Sequence, residues 1–216
     1  MSETLDTLLT LDLAGKQIID TSTIVPAILK TRITALAAKG ACAVDAPISG
    51  GPELVLAGHC GIFIGGSDTD AARAQTTLAA LSGRKFHVGP LGTGLVMKVI
   101  NYAMLQVYFG GLAEMLPLAK RAGLPLDVAV GILCGGPAGI PMVRDRLPRI
   151  LGEDASVAFA ITAALKDNDV FRRVIHGFGL TAPTLDAAGQ HERAAVAAGL
   201  GDHDVAALAS NADHSG

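Results

Sequence analysis

The first ninety residues alternate apolar runs of strand length with polar segments that contain glycine or proline. The apolar runs are Gln17–Asp20, "ACAVDAP" (41–47), "CGIFIGG" (60–66) and "RKFHVG" (84–89). Short apolar runs that end at glycine, proline or a polar turn are typical of buried β-strands. The pattern therefore predicts a strand in each of these runs.

The segments between the runs predict helices and one loop. A helix is expected from about Ala27 to Lys39, with Ser22 or Thr23 as its N-cap and Pro26 in its first turn. "SDTDAARAQTTLAAL" predicts a second helix, with a capping serine and with aspartates in its first turn, where the helix dipole favours negative charge. "ISGGPELVLAG" predicts a glycine-rich loop with room for one helical turn. Alternating strands and helices indicate an α/β domain.

From Gly94 onward the periodicity is helical throughout. A long segment from about Leu95 to Ala122 is followed by shorter helices, and Pro117 is expected to kink the long one or remove one of its backbone hydrogen bonds. We therefore predict two domains, a sheet-containing domain at 1–93 and an all-α domain at 94–216, and a frayed tail at "SNADHSG".

The composition is that of a compact globular protein. Of the 216 residues, 50% are hydrophobic and 17% are charged, and the net charge of −3 comes with no basic stripe that would suit nucleic acid. Cys42, Cys60 and Cys134 lack the spacing of metal ligands or of a disulfide framework, so reduced thiols and no metal are expected. The histidines likewise have no partners at ligand spacing.

The location expected from the sequence is cytoplasmic. The N-terminus "MSETLDTLLTLDL" has two early acidic residues and no basic region, unlike a secretory signal. No run of about 18 uncharged apolar residues is present, so no membrane partner is expected.

The segment "GTGLVMKVINYAM" places one lysine in an apolar, glycine-rich run. In a helix that begins near Leu95, Lys98, Asn101 and Tyr102 share one face. A lysine in a partly apolar pocket has its charged form disfavoured and can exchange a proton near neutral pH. The alternative is a lysine whose stem lies on apolar neighbours while its charge reaches solvent.

Two further segments have a functional and a plain interpretation. Ser49, Gly50 and Gly51 offer a hydroxyl and open backbone N–H groups that suit a carboxylate, or they form an ordinary turn. Lys166 and Asp169 stand three residues apart on a predicted helix, as a functional pair or as an exposed ion pair.

Several nucleotide and hydrolase motifs are absent from the sequence. There is no G-x-G-x-x-G after a strand, no P-loop and no G-x-S-x-G elbow. The sheet therefore has the pattern of the second half of a nucleotide-binding domain.

Taken together, these segments resemble the β-hydroxyacid dehydrogenase family, which includes 3-hydroxyisobutyrate dehydrogenase and tartronate semialdehyde reductase. The stretches that carry the resemblance run in family order from about Gly15 to Leu208: "GKQIIDTSTIVP", "DAPISGGPELVLAG", "FIGG", "FHVGPLGTGLVMKVIN", "LAEMLPLAKRAGL", "LKDNDV" and "GLGDHDVAAL". The resemblance implies a partial Rossmann-type sheet followed by an all-helical domain, and hydride transfer between NAD or NADP and a small 3-hydroxy acid or semialdehyde.

The resemblance also implies roles for the candidate residues. Lys98 is similar to the family's general acid/base, and Asn101 to the asparagine that orients substrate beside it. The carboxylate of the substrate would lie on Ser49, Gly50 and Gly51. The cofactor would meet Ser22 or Thr23 near its nicotinamide and Lys166, followed by Asp167, from the helical domain.

Two of the departures of the sequence from the family affect the expected fold and site. The family's N-terminal fingerprint and the first half of its Rossmann sheet have no counterpart in the chain, so a truncated form with an exposed sheet edge is expected. Where many members carry a second asparagine after the lysine, this chain has Tyr102.

A homodimer is the assembly that the resemblance implies.

Two rival functions fit the sequence less well. One is a non-catalytic remnant that keeps the helical domain for assembly or ligand binding. The other is an imine-reducing relative, although such relatives usually replace the lysine that stands here at 98.

Overall fold

The computed structural model describes residues 2–210, and its backbone forms two compact units. Unit 1 contains the chain up to Tyr102 together with Arg173–Leu180, and unit 2 contains Ala103–Arg172 and the chain from Thr181 onward. The division falls inside a long helix, nine residues after the boundary predicted at residue 93. The predicted frayed tail lies, beyond residue 210, outside the described residues.

Unit 1 contains a mixed sheet, whose described strands are β1 (Gln17–Asp20), β2 (Cys42–Asp45), β3 (Ile48–Ser49), β4 (Gly61–Gly65) and β5 (Arg84–Gly89). β1 pairs with β2 in parallel, and β4 pairs with β5 in parallel. β4 runs antiparallel to both β2 and β3. β1 is the terminal strand on its side of the sheet, with Asp20 in register with Asp45.

Helices cover both faces of this sheet because successive side chains of a strand point to opposite sides. On β2, Ala43 packs into a cluster with residues of α1 (Ser2–Leu8), α2 (Ala27–Lys30) and α3 (Ile33–Ala38). The next residue, Val44, packs instead with α5 (Asp68–Thr77) and with Ile62 and Ile64 of β4. The alternation of small apolar residues along β2 thus builds two core layers.

The strands at 17–20, in 41–47, in 60–66 and at 84–89 were predicted correctly, but three features of unit 1 differ from prediction. The helix expected over 27–39 is two short helices, α2 and α3, and the N–H of Arg32 bonds three residues back to Leu29 between them. Pro26, not Ser22 or Thr23, is the N-cap of α2. The segment "SETLDTL" forms α1, which the pattern of apolar and polar residues did not predict.

The helix expected at 67–81 is confirmed as α5, followed by a 3₁₀ turn at Leu78–Ala80. Its N-cap is Ser67, whose side chain accepts a hydrogen bond from the backbone N–H of Asp70. The glycine-rich loop contains α4 (Pro52–Leu56) and the short strand β3.

The chain from residue 93 to residue 210 is helical. Its described helices are α6 (Thr93–Arg121), α7 (Leu126–Gly135), α8 (Pro141–Asp145), α9 (Leu147–Leu151), α10 (Ile161–Gly177), α11 (Pro183–Ala197) and α12 (Ala207–Ser210). The core of unit 2 joins Phe109 and Leu116 of α6 with Val130, Ile150 and Ile161 from the later helices. The predicted fold class, a Rossmann-type sheet followed by an all-helical region, is confirmed.

The helix α6 continues through Pro117, which has no backbone N–H to donate to the preceding turn. By length and composition it could cross a membrane, a test that core helices of water-soluble proteins also pass. Lys98 and Glu114 interrupt its apolar sequence, and 44% of its most apolar window is buried in the structure.

Candidate functional site

The beginning of α6 is held by a buried carboxylate at the end of β2. Asp45 is fully buried, and its Oδ1 accepts the backbone N–H of Gly92 at 2.6 Å while its Oδ2 accepts that of Leu95 at 2.7 Å. Burial raises the pKa of Asp45, and the two N–H donors oppose that effect. The carboxylate supplies acceptors for N–H groups that the first turn of a helix leaves without intrahelical partners.

The same junction depends on glycines that approach Asp45 closely. A Cβ on Gly65 would overlap Asp45 Oδ1, and a Cβ on Gly94 would overlap the carbonyl oxygen of Phe63 and lie 2.9 Å from Asp45 Oδ2. A side chain at either position would therefore push α6 away from β2 and β4.

Replacing Gly94 by alanine is expected to lower the free energy of unfolding by about 2 kcal/mol, because the added methyl group overpacks this junction. Gly111 is the matched control: it lies in the same helix with open space around it, and alanine there should stabilise by about 0.5–1 kcal/mol through helix propensity. Urea unfolding of both variants measures the difference. Equal stabilities for the two alanine variants would contradict the packing at Gly94.

Lys98 lies in the second turn of α6 and is 5% exposed. Its Nζ donates to the carbonyl oxygen of Ile48 at 2.6 Å and lies 3.4 Å from the centroid of the Tyr102 ring. Both are contacts that an ammonium group makes favourably. The interpretation of Lys98 as a solvent-reaching surface lysine is therefore wrong.

Ser49, Gly50 and Gly51, which were predicted to bind the substrate carboxylate, make different contacts in the structure. Asn101 Nδ2 donates to Ser49 Oγ at 3.0 Å, and the backbone N–H of Gly50 donates to the Tyr102 hydroxyl at 2.8 Å. Gly50 has a φ of +134°, which favours glycine. Gly51 is the N-cap of α4. The structure thus brings Lys98 and Asn101 together with Ser49 and Gly50.

Ser22 and Thr23 lie in the turn after β1. The backbone N–H of Ser22 donates to Asp20 Oδ1 at 2.9 Å, while Asp20 Oδ2 is buried without a hydrogen-bond partner among residues 2–210. This turn continues the carboxyl end of a parallel strand, where α/β sheets bind ligands.

Lys166 lies on α10 in unit 2, and its side chain is 64% exposed. Its Nζ is 3.0 Å from Asp167 Oδ1, whereas Asp169 lies 3.8 Å from Arg172. The ion pair expected between Lys166 and Asp169 is therefore replaced by these two pairs.

Two family models match consecutive parts of the chain. Residues 2–89 match the model described as the NAD binding domain of 6-phosphogluconate dehydrogenase. Residues 92–211, more than half of the chain, match the model described as NAD-binding of NADP-dependent 3-hydroxyisobutyrate dehydrogenase. The chain belongs to the β-hydroxyacid dehydrogenase family. The resemblance found in the sequence motifs is confirmed.

Individual β-hydroxyacid dehydrogenases give the extent of the match. L-threonate dehydrogenase of Escherichia coli O6:H1 is 28% identical over 195 residues, which cover 90% of this chain and 65% of that protein. 3-Hydroxyisobutyrate dehydrogenase of Pseudomonas aeruginosa is 39% identical over 112 residues, 51% of this chain and 38% of that protein. This β-hydroxyacid dehydrogenase chain thus spans less than two thirds of the length of those curated relatives.

The fold also matches a solved β-hydroxyacid dehydrogenase. The structure of Mycobacterium tuberculosis 3-hydroxyisobutyrate dehydrogenase with L-serine superposes with a TM-score of 0.87 at 24% identity, over 98% of this chain and 76% of that one. At this identity the likeness establishes the fold.

Asp45 was not found from the sequence, and one contact of Tyr102 was missed. Asp45 lies near the end of a short apolar run, and the only local signal is an acidic residue two positions before Pro47. Tyr102 was recognised as a departure from the family pattern, but not as a partner of Gly50.

Proposed function

We propose that this chain carries the substrate site and the proton-transfer group of an NAD(P)-dependent β-hydroxyacid dehydrogenase, acting between a small 3-hydroxy acid and its semialdehyde. The observation that carries the proposal is the position of Lys98, a buried amine beside the Asn101–Ser49 pair and the Gly50 amide. Hydride transfer leaves an oxygen that must gain or lose a proton, and a positioned lysine performs that task.

Each residue of this group has one part in the proposed reaction. In reduction, the Lys98 ammonium protonates the alkoxide that develops on the substrate, and in oxidation its neutral amine takes the hydroxyl proton. Asn101 and Ser49, already hydrogen-bonded to each other, orient the substrate, and the Gly50 N–H binds its carboxylate. Ser49 and Gly50 lie on or next to β3, and Lys98 and Asn101 lie on α6, so the backbone positions of these groups are set before substrate binds.

The residues present fit the nicotinamide end of the cofactor. That end offers amide and hydroxyl donors, and the unpartnered buried oxygen of Asp20 with the hydroxyls of Ser22 and Thr23 would receive them. When bound, the cofactor supplies or accepts the hydride. Lys166, exposed on unit 2, is proposed as a further cofactor contact because of the family resemblance of its "KD" pair. Neither group distinguishes NAD from NADP.

The proposed substrate class is a small hydroxycarboxylic acid or the matching semialdehyde. The relatives are named for L-threonate and 3-hydroxyisobutyrate, both of which are small hydroxycarboxylates. One cationic group, one hydroxyl and one amide of this site match the polar atoms of such a molecule.

We expect the purified chain to bind NADH or NADPH saturably and to oxidise it in the presence of tartronate semialdehyde or methylmalonate semialdehyde, both of which give 3-hydroxy acids on reduction. Lys98→Ala should reduce that turnover by at least about 100-fold, because general acid–base catalysis typically contributes that much. Nicotinamide fluorescence measures the binding, and absorbance measures the turnover.

Lys16→Ala is the control, since Lys16 is an exposed lysine of the same unit. Its turnover should equal that of the unmodified chain. Failure of the unmodified chain to bind either cofactor at millimolar concentration would reject the proposed activity for this chain and favour the non-catalytic alternative. Turnover that survives Lys98→Ala would reject the role of Lys98.

We also propose that the protein is a cytoplasmic homodimer with no membrane partner. The support for the dimer is a set of exposed apolar side chains on the unit 2 part of α6, namely Met104, Met115 and Leu118, which are 56–67% exposed. The support for a cytoplasmic location is the set of three free cysteines.

A further inference from the structure

Tyr102 contacts two groups that the proposed reaction needs. Its hydroxyl accepts the N–H of Gly50 at 2.8 Å, and its ring lies 3.4 Å from the Lys98 Nζ. The side chain is 7% exposed, so these contacts are made in the interior of the site and not by a surface group. One rigid side chain therefore covers both the amide donor and the amine.

The Gly50 amide has a single hydrogen, which the tyrosine hydroxyl engages at a normal hydrogen-bond length. A carboxylate that binds to this N–H must replace the hydroxyl there. Because this backbone N–H is a single donor, the two acceptors compete for the same place.

Lys98 imposes a related requirement. The residue is 5% exposed and its amine lies between the Ile48 carbonyl and the Tyr102 ring, so a substrate oxygen that approaches the amine from the side of Tyr102 must displace the ring. Ring and hydroxyl move as one body about the tyrosine side-chain torsions. A rotation that withdraws the hydroxyl from Gly50 also shifts the ring across Lys98.

We propose that the hydroxyl of Tyr102 competes with the substrate carboxylate for the Gly50 amide, so that carboxylate binding and access to Lys98 require the same displacement of one side chain. The inference rests on the proposed function, in which Gly50 binds the carboxylate and Lys98 transfers the proton. The competing hydroxyl lowers the affinity of the site for a carboxylate by the free energy of the hydrogen bond that must be broken.

Tyr102→Phe tests the inference, because it removes the competing oxygen and keeps the ring. With 3-hydroxyisobutyrate as the probe and the Gly50 amide followed by ¹⁵N NMR, the variant should bind the acid roughly three- to tenfold more tightly than the unmodified chain, the effect of losing one competing hydrogen bond. Tyr108→Phe is the matched control: it removes the hydroxyl that donates to the Ala138 carbonyl in unit 2 and should leave the affinity unchanged.

Equal affinities for Tyr102→Phe and the unmodified chain would overturn the inference. So would an equal gain in Tyr108→Phe, since the effect would then not be specific to Gly50. If the acid shifts the Gly50 amide in none of the three proteins, Gly50 is not the carboxylate donor and the inference falls. In the first two cases, cofactor oxidation that depends on Lys98 would show that the proposed function itself stands. In the third, it would show that the role of Lys98 stands while Gly50 is not the carboxylate site.

Discussion

Replacing Asp45 by asparagine is expected to lower the free energy of unfolding by about 3 kcal/mol. Both carboxylate oxygens accept backbone N–H groups, from Gly92 and from Leu95, which is the geometry of an ionised carboxylate between two donors. An asparagine can accept only one of them and turns an NH₂ group toward the other. A hydrogen bond to a charged group is worth about 1.5–3 kcal/mol, and an unsatisfied buried donor adds a further penalty.

The consequence extends to Lys98, which follows Leu95 by one helical turn. Asp45 accepts the backbone N–H groups of Gly92 and Leu95 at the beginning of α6. Asp45→Asn should therefore also loosen the turn that carries the Lys98 amine. Hydrogen exchange of the Gly92 and Leu95 amides reports this directly. We expect faster exchange at both positions, together with the lower urea midpoint.

Asp12→Asn is the matched control for this change. Asp12 also accepts a backbone N–H, from Ala14 at 3.1 Å, but it is exposed, so water can replace the lost acceptor. Its stability should change by less than about 0.5 kcal/mol. If Asp45→Asn is no less stable than Asp12→Asn, the carboxylate does not hold α6 in place.

The strands and the capped helix α5 could be predicted because their signals are local. Apolar runs bounded by glycine and proline, and a serine followed by aspartates, specify their structures within a few residues. The break between α2 and α3 has no such signal, since Thr31 and Arg32 are tolerated within a helix. The antiparallel pairing of β4 with β2 and β3 depends on tertiary packing, and the alternating pattern alone does not contain it.

Part of the candidate site could also be predicted from local signals, and part of it could not. Lys98 and Asn101 share a helix face by spacing, and family motifs relate them to Ser49 and Gly50. The role of Asp45 could not be predicted, because the backbone N–H groups that donate to it lie 47 and 50 residues later in the sequence. Hydrogen bonds between distant segments become visible only when the sheet has brought their ends together.

Glu192 is a third residue whose environment the sequence conceals. It stands in an alanine-rich stretch of α11, a context typical of an exposed helix face, yet it is 1% exposed. Its Oε2 has no hydrogen-bond partner among the residues that the structure describes. One turn earlier, Gly189 lies so close to Asn168 that a Cβ there would stand 2.6 Å from the amide oxygen. α11 thus packs closely against α10 at Gly189, one turn from the buried carboxyl group.

Burial raises the pKa of Glu192 to about 8, with the charges of Asp167 and Asp169 adding to the effect and Arg193 opposing it. The folded chain therefore binds a proton at Glu192 that the unfolded chain has released above pH 4.5. The free energy of unfolding is therefore expected to fall as the pH rises from 4.5 to about 8, by about 1.4 kcal/mol per pH unit. Above that window both states are ionised and the loss is complete.

Glu192→Gln, which fixes a neutral side chain of the same shape, should remove this dependence. We expect its free energy of unfolding, relative to that of the unmodified chain, to increase by about 3 kcal/mol between pH 5.5 and pH 8.5. Urea unfolding followed by circular dichroism at several pH values measures the difference, and other titrating groups cancel because both chains share them. Glu153→Gln, at an exposed position of unit 2, controls for the loss of one carboxyl group. Parallel pH profiles for Glu192→Gln and the unmodified chain would show that water or a neighbouring group reaches the carboxylate, and that the buried acid is ionised at neutral pH.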